Sequence, residues 1–203
     1  MGKGEETRSA VLDEAMRMAS AVGMRGLTIG SLADATGMSK SGLFAHFKSK
    51  EQLQLDVLDH AAALFVDMVM RPAFKAPRGE PRLRELFERK LIWDGATEGV
   101  LPGGCIFTSL ATELDDEPDS PLRDNLVRHE RDWLEAVAIM FAGGVTEGQF
   151  DDSVEPAQFA YQVHGIMLAH HHATRLMRAP DAEQHARTAF ESLLRSVRVR
   201  QPV

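Results

Sequence analysis

The amino-acid sequence predicts an all-α protein of about nine helices. Apolar residues recur at helical spacing through most of the 203-residue chain, and Pro, Gly and polar residues gather between these periodic segments. The alternating pattern of β-strands is missing from the sequence, and a hydrophobic content of 44% can fill a core. We predict a three-helix unit at residues 1–50 and a larger helical domain at residues 51–203.

The first helix is predicted over residues 5–22, and two glycines end it. Its inward side carries Val11, Ala15, Met18, Ala19 and Val22. This spacing predicts a helix that packs across the next two helices and fixes their angle.

The next two helices are short and are joined by a tight turn. Thr28 can cap the second helix with its hydroxyl, and Gly37 suits a helix end that needs positive φ. Ser39 can cap a third helix, whose inward residues are Leu43 and Phe47. Two such helices form either a helix-turn-helix or an ordinary helical hairpin.

Cations around the third helix favour the helix-turn-helix. Lys48 and Lys50 flank Ser49, which can cap a following helix, so a helix N-terminus and two cations lie together as a phosphate site would require. The outer face of the third helix is small, polar and basic, and it carries Lys40, Ser41, Gly42, Phe44 and His46. Helix-turn-helix proteins insert such a face into the DNA major groove.

Residues 9–55 resemble the N-terminal DNA-binding domain of the TetR family of one-component transcriptional regulators. The most specific part of the resemblance is the LxxxFxxKxxL pattern that begins at Leu43. The resemblance implies ten DNA-binding residues, namely Thr28, Ser31, Ser39, Lys40, Ser41, Gly42, Phe44, His46, Lys48 and Lys50.

The resemblance also assigns roles within this set. Lys40 and Ser41 occupy the positions that usually reach base edges, and lysine suits the O6/N7 pair of guanine. Phe44 stands where the family most often has tyrosine, so it could pack on a thymine methyl or a sugar, or belong to the core. Gly30 stands where relatives carry a base-reading arginine, and Gly42 permits close backbone approach.

The larger domain is predicted to contain the remaining helices. A long helix over residues 51–70, stopped by Pro72, would connect the DNA to this domain and, in the family, transmits the signal. Further helices are predicted over residues 82–97, 106–114, 121–142, 155–177 and 181–199. The resemblance implies that the last two form a four-helix bundle with a second copy, which makes a homodimer.

An effector cavity is also implied by the resemblance. Its bulky candidates in this sequence are Phe65, Met68, Trp93, Phe107, Trp133, Met140, Phe141 and His164. We expect about a third of them to contact ligand and the others to be core. Their apolar character suggests a hydrophobic or aromatic small molecule.

Several other motifs are weaker. The glycines of residues 99–107 lack the GK[ST] of a phosphate loop, and the acidic residues of 113–119 lack the spacing of a calcium loop, so a solvated loop is expected. Cys105 is either a small buried hydrophobe or a thiol sensor, and nothing aligns a catalytic base with it. The histidines of residues 164–172 lack the i, i+4 spacing of a metal pair, so no metal, cofactor or catalytic residue is predicted.

The charge distribution agrees with contact to DNA at one end only. The net charge is −7, yet residues 1–50 hold seven Lys/Arg against five Asp/Glu, whereas residues 51–203 hold sixteen against twenty-five. The sequence contains no apolar run long enough to span a membrane and no apolar core of a signal peptide, and its single cysteine suits a reducing compartment. We therefore expect a cytoplasmic protein without a membrane segment.

The sequence thus predicts a homodimeric DNA-binding regulator, typically a repressor, that a small effector releases from operator DNA. Two other classes stay open at this point. One is an enzyme that uses Cys105 or the histidines, which turnover would reveal. The other is a ligand-independent, nucleoid-type DNA binder, which would stay on DNA when a ligand is added.

Overall fold

The computed structural model describes residues 3–95 and 101–199, which form nine helical rods. In chain order these are α1 (Lys3–Val22), α2 (Ile29–Thr36), α3 (Lys40–Phe47), α4 (Lys50–Phe65) running through a π-helical turn (Val66–Met70) into α5 (Arg71–Lys75), α6 (Glu80–Trp93), α7 (Ile106–Leu114), α8 (Pro121–Thr146), α9 (Pro156–Arg175) and α10 (Ala182–Val197). The all-α class is confirmed. Within these residues, extended pairing is limited to one antiparallel bridge between Phe150 and Arg198.

Pro72 does not stop the long helix, contrary to the sequence prediction. Proline lacks a backbone N–H, and its ring collides with the carbonyl four residues earlier in a regular α-helix. Here the wider π-helical turn over Val66–Met70 precedes it, and Pro72 falls in the first turn of α5, where its N–H is dispensable. The rod therefore continues to Lys75.

The helix predicted to end at residue 142 extends four residues further, to Thr146. The sequence pattern breaks at Gly143 and Gly144, but Gly144 is required inside the helix because the Phe150 ring lies against it. A Cβ at Gly144 would come within 2.4 Å of that ring. The predicted end of α6 at Thr97, like Gly99 and Val100 of the glycine-rich segment, lies outside the described residues.

The first three helices share a small, closed core. Leu32, Leu43 and Phe47 are fully buried, and α1 packs against both α2 and α4. Arg8 fixes the crossing of α1 and α4 because its guanidinium bonds to the Asp56 carboxylate at 2.6 Å and lies 5.4 Å from the centre of the Phe47 ring. We call residues 3–49 the head.

The remaining helices, α4 to α10, form the body. Helix α9 packs against both α8 and α10, and Phe141 of α8 stacks on Phe150 and Phe159 with ring centres 5.0 and 4.3 Å away. Phe87 of α6 stacks on Phe190 of α10 at 4.1 Å. Across residues 3–95 and 101–199, every helix is too short or too polar to cross a bilayer.

Candidate nucleic-acid interface and ligand cavity

The start of α2 is held by a reciprocal cap. The Ser31 backbone N–H donates to the Thr28 hydroxyl at 3.0 Å, and the Thr28 N–H donates to the Ser31 hydroxyl at 3.1 Å. Both side chains are therefore fixed at the solvent-facing N-terminus of α2, where backbone N–H groups attract anions. Gly37 ends α2 with φ of 67°, as its position predicted.

Helix α3 presents the predicted outer face to solvent. Ser39 caps it by accepting from the Gly42 N–H at 3.1 Å, and the Ser39 and Ser41 hydroxyls lie 3.1 Å apart. Phe44 is 50% exposed, which excludes the core alternative for this ring. The apolar edge of Phe44 therefore faces outward beside a polar helix start.

Lys40 lies over Gly30. A Cβ built at Gly30 would be 3.8 Å from both Nζ and Cε of Lys40, so the lysine occupies the space that a longer side chain at position 30 would need. The ammonium of Lys40 thereby lies between the first turns of α2 and α3. The charge of Lys40 is therefore close to the N-termini of both α2 and α3.

The basic segment after α3 is also ordered by local bonds. Lys48 ends α3 with φ of 55°, and its N–H donates to the Phe44 carbonyl at 3.0 Å. Ser49 caps α4 through the Gln52 N–H at 3.0 Å. Lys50 Nζ donates to the Arg25 carbonyl at 3.0 Å, so this exposed lysine also supports the turn between α1 and α2.

Helix α7 of the body grips the same turn of the head. The Glu113 carboxylate accepts from the Met24 N–H at 2.8 Å and from the Arg25 N–H at 3.0 Å. Arg25 in turn donates to the Glu113 carbonyl at 3.0 Å and pairs with Glu117. The expectation of a merely solvated acidic loop is therefore wrong for Glu113 and Glu117, which we call, with Arg25, the α7 clamp.

The backbone before α7 lies directly on α1. A Cβ at Gly103 would come within 1.4 Å of the Ser20 carbonyl oxygen, which only glycine avoids. The Gly103 N–H donates to the Ser20 hydroxyl at 3.2 Å in this buried contact. Head and body are thus joined at two points besides α4.

The body contains a cavity of about 440 Å³. Its wall is built by α4, the π-helical turn, α5, α6, α7, α8 and α9. Apolar groups dominate this wall, and its principal side chains are Ala62, Phe65, Val66, Met70, Phe74, Cys105, Phe107, Trp133, Met167 and Leu168.

Four of the eight sequence-predicted cavity residues line this space, namely Phe65, Phe107, Trp133 and His164. The other four do not. Trp93 is fully buried behind Phe65, with the two ring centres 5.2 Å apart. Phe141 is stacked in the phenylalanine core, Met140 is buried in the same core, and Met68 packs against the core at its edge.

Sequence reasoning included His164 and Trp133 among the cavity residues but missed its charged groups, Lys90 and Glu130. Lys90 Nζ donates to Asp94 Oδ1 at 2.5 Å, and both side chains are more than nine-tenths buried. Burial disfavours the Lys90 charge, but the Asp94 carboxylate outweighs it and keeps the pKa of Lys90 above its usual value. The available signal was Lys90 itself, a cation on the inward face of α6.

Three further residues of the cavity have polar atoms that could bond to a ligand. Burial raises the pKa of the Glu130 carboxyl, which the Lys90 charge only partly offsets. Burial lowers the pKa of His164, so this ring favours its neutral form. Trp133 Nε1 is buried and has no hydrogen-bond partner among the described residues.

Cys105 is 1% exposed and lies in the cavity wall, close enough to Lys90 to affect its charge. The buried-hydrophobe interpretation agrees with this burial. In the part of the chain that the structure describes, no three His, Cys, Asp or Glu side chains are grouped as a metal site requires.

Comparison with known proteins gives a family match for most of the chain. Residues 79–190, more than half of the sequence, match the model of tetracyclin repressor-like C-terminal domains, and residues 11–57 match that of bacterial regulatory proteins of the tetR family. A curated relative is the HTH-type transcriptional regulator AcrR of Shigella flexneri, 29% identical over 86 residues. That match spans 41% of this chain and 40% of the relative's length.

Solved structures share the fold over nearly the whole chain. A TetR transcriptional regulator from Chloroflexus aurantiacus superimposes with a TM-score of 0.87 and 24% identity, covering 98% of this chain and 100% of that one. A transcriptional regulator from Saccharomonospora viridis, solved in complex with choline, gives a TM-score of 0.81 at 20% identity, covering 97% and 100% of the two chains.

Proposed function

The chain belongs to the TetR family of DNA-binding transcriptional regulators, which are not enzymes, and on that premise we propose that it is a repressor which a small molecule releases from its operator. A domain over residues 1–50, which contains the head, would bind DNA. A second domain over residues 51–203, which contains nearly all of the body, would bind the effector and a second copy of the chain.

One observation carries this proposal: a single helical rod touches both proposed sites. Lys50 begins the rod beside the recognition helix, and Ala62, Phe65 and Met70 further along the same rod line the cavity. A ligand that prefers a different tilt of this rod changes the spacing of the two heads in a dimer. Such a ligand shifts the population away from operator DNA in proportion to its differential affinity.

The proposed DNA contacts divide into two classes. Lys40 and Ser41 would read base edges, while Thr28, Ser31, His46, Lys48 and Lys50 would hold phosphates and orient the helix. Ser39 and Gly42 would shape the start of α3, and the exposed Phe44 ring would pack on a thymine methyl or a sugar. The exposed, capped surface of α2 and α3 supports this division.

The outer face of α9 and α10 supports the proposal of a homodimer. Tyr161 and Leu168 of α9 are exposed, although Leu168 also borders the cavity, and Leu176 and Met177 are exposed just beyond the end of α9. A groove between the two helices is lined by small residues, including Gly165, Ala169, Ala173 and Ala189. A twofold copy seated on this face would place two α3 helices about 34–36 Å apart, one turn of DNA.

A substitution at Gly165 tests the dimer face. A Cβ at Gly165 would meet no atom within 4 Å, so Gly165→Glu is tolerated by the monomer but inserts a charge into the proposed interface. We expect this variant to sediment as a monomer and to lose specific DNA binding. Gly143→Glu on α8, equally open, is the matched control and should remain a dimer.

The decisive experiment for DNA binding is a salt-controlled gel shift on the DNA upstream of the chain's own gene, with random DNA as competitor. A discrete shift that survives the competitor is expected. Binding that any competitor abolishes, over the whole upstream region, would contradict a sequence-specific regulator of that region. Binding that is specific but insensitive to every ligand would favour the ligand-independent alternative.

Two lysine variants test the division of contacts. Lys50→Ala should weaken binding to all sequences and reduce the salt slope by about one phosphate contact, whereas Lys40→Ala should relax base preference by about 1–3 kcal/mol. Lys75→Ala, an exposed lysine at the far end of the rod, is the control and should change neither. If Lys40→Ala lost only non-specific affinity, the base-reading role of Lys40 would be wrong.

A further inference from the structure

The cavity wall contains a carboxylate without a partner. Glu130 of α8 lies one helical turn before Trp133, lines the cavity, and has no hydrogen bond or ion pair with any described residue. Glu130 is partly exposed, and a ligand that fills the cavity would remove more water from its carboxylate, which is costly for the ionised form unless a cation or a donor reaches it. Glu130 borders the cavity directly.

The nearest fixed cation does not fill this role. Burial raises the pKa of Glu130 and the Lys90 charge acts against this, but the Lys90 ammonium is bonded to Asp94 at 2.5 Å. The buried His170 imidazole lies 3.9 Å from the second Asp94 oxygen, so it is placed against Asp94 as well. Arg71 at the rim is paired with Asp67 at 2.9 Å. Among the described residues, Glu130 therefore has no cation bonded to it.

Aromatic rings surround the same space. The Phe65 ring is nearly perpendicular to those of Phe107 and Trp133, with ring centres 5.8 and 5.7 Å away and interplanar angles of 79° and 78°. All three residues line the cavity, so each ring borders the same volume. The faces of Phe and Trp attract an organic cation, most strongly where water is excluded.

We propose that the effector is a lipophilic organic cation, whose protonated or quaternary nitrogen pairs with Glu130 while its apolar groups contact Phe65, Phe107 and Trp133. This inference rests on the proposed function, because it takes the cavity as the effector site. It narrows the sequence-based expectation of a hydrophobic or aromatic ligand by adding a charge. The unpartnered Trp133 N–H provides one donor, so a ligand that also carries an acceptor gains a second fixed contact.

Other ligand charges fit the wall less well. An anion would have to displace Asp94 from Lys90, which leaves two carboxylates in a buried space with one cation. A neutral apolar ligand would fill the aromatic part but would seal Glu130 away from water without a partner. A cation offsets the Glu130 charge directly, whereas a neutral ligand would favour the protonated form of Glu130, whose pKa burial already raises.

The test compares three probes of one shape family: phenyltrimethylammonium, its neutral isostere tert-butylbenzene, and the anion 3-phenylpropionate. Binding to the purified full chain is measured by calorimetry and by quenching of the fluorescence of Trp93 and Trp133. We expect the cation to bind about tenfold tighter than either of the others. Glu130→Gln, which keeps the shape and removes the charge, should abolish that preference.

Glu135→Gln is the matched control, because Glu135 is exposed on the same helix and outside the cavity wall. It should keep the tenfold preference. Glu130→Gln should also unfold at the same temperature as the parent or higher, since the variant removes a partly exposed carboxylate that makes no ion pair with the described residues. Equal binding of the three probes, no binding of the cation up to its solubility limit, or an unchanged preference in Glu130→Gln overturns the proposal.

DNA binding separates this inference from the function on which it rests. If a neutral or anionic compound, but no cation, releases the chain from its operator, the regulatory function stands and the cationic effector is wrong. If the chain binds no specific DNA, the regulatory function fails. The calorimetric preference and its loss in Glu130→Gln still decide the chemistry of the cavity.

Discussion

The head and the body satisfy their polar groups in different ways. In the head, α2 and α3 are capped by the hydroxyls of Thr28 and Ser39, Ser49 caps the helix that leaves it, and the core beneath is closed. In the body, the buried Trp133 Nε1 has no hydrogen-bond partner among the described residues and lies in the wall of a cavity. The difference indicates that the head is rigid, whereas the body retains space and an unpaired polar atom that a ligand can fill and bond.

Matched truncation of two phenylalanines is expected to show the largest contrast. Phe47→Ala empties a closed core and removes the ring on which Arg8 rests, so we expect a loss of about 4 kcal/mol in the free energy of unfolding. Phe65 already borders a void, so Phe65→Ala loses fewer packing contacts and should cost about 2 kcal/mol. Chemical denaturation of both variants checks this order, and equal losses would contradict the closed-versus-open distinction.

The buried ion pair of the body is expected to have the next largest effect. Lys90→Met leaves the Asp94 carboxylate buried without its cation and should cost about 3 kcal/mol. The double variant Lys90→Met/Asp94→Leu should recover most of that loss in thermal unfolding. Arg17→Ala, which breaks an exposed pair with Glu14, is the control and should cost under about 0.5 kcal/mol.

The α7 clamp joins the two regions and should have an intermediate effect. Glu113→Ala removes the acceptor of the Met24 and Arg25 N–H groups, which are then satisfied by water, so we expect a loss of about 1–2 kcal/mol. It should also weaken the effect of a bound ligand on DNA affinity by several-fold, as gel shifts with and without ligand would measure. Asp116→Ala, exposed in the same segment, should leave both quantities unchanged.

Two glycines give the smallest expected effects, of opposite sign. Gly37→Ala places a Cβ at φ of 67° and should destabilise the head by about 1 kcal/mol. Gly143→Ala in α8 meets no atom within 4 Å and has an ordinary helical φ, so it should stabilise the body by about 0.5–1 kcal/mol. Thermal unfolding of the two variants gives the comparison, and a shift of the same sign in both would refute it.

The sequence predicted the head more completely than the body because the bonds that shape the head are local. The Thr28–Ser31 cap spans three residues, so composition and spacing reveal it. The Glu113 bond to Met24 spans 89 residues, and nothing in an acidic loop indicates its partner. The proximity of Glu130, Lys90 and Trp133 likewise depends on how α6 and α8 pack, which no periodicity encodes.

Aromatic size alone was a partial guide to the cavity. Phe65, Phe107 and Trp133 line it, whereas Trp93 and Phe141, of the same size and helical phase, are core. A large side chain on an inward face fills space, and only the packing of several helices determines whether space remains beside it. The residues that line the cavity could therefore be identified only from the structure.

The π-helical turn over Val66–Met70 allows the long rod to accept the gain or loss of one residue. A π-helical turn holds one residue more than an α-helical turn, so deletion of a single residue there can restore regular α-helix without breaking the rod. Because the wide turn absorbs the extra residue, such a deletion would leave the helices on either side of it in nearly the same rotational phase. The side chains displaced would be those of the turn itself, including Val66 and Met70 in the cavity wall. A change of one residue at this turn would therefore reshape the cavity while the DNA-binding end of the rod keeps its structure.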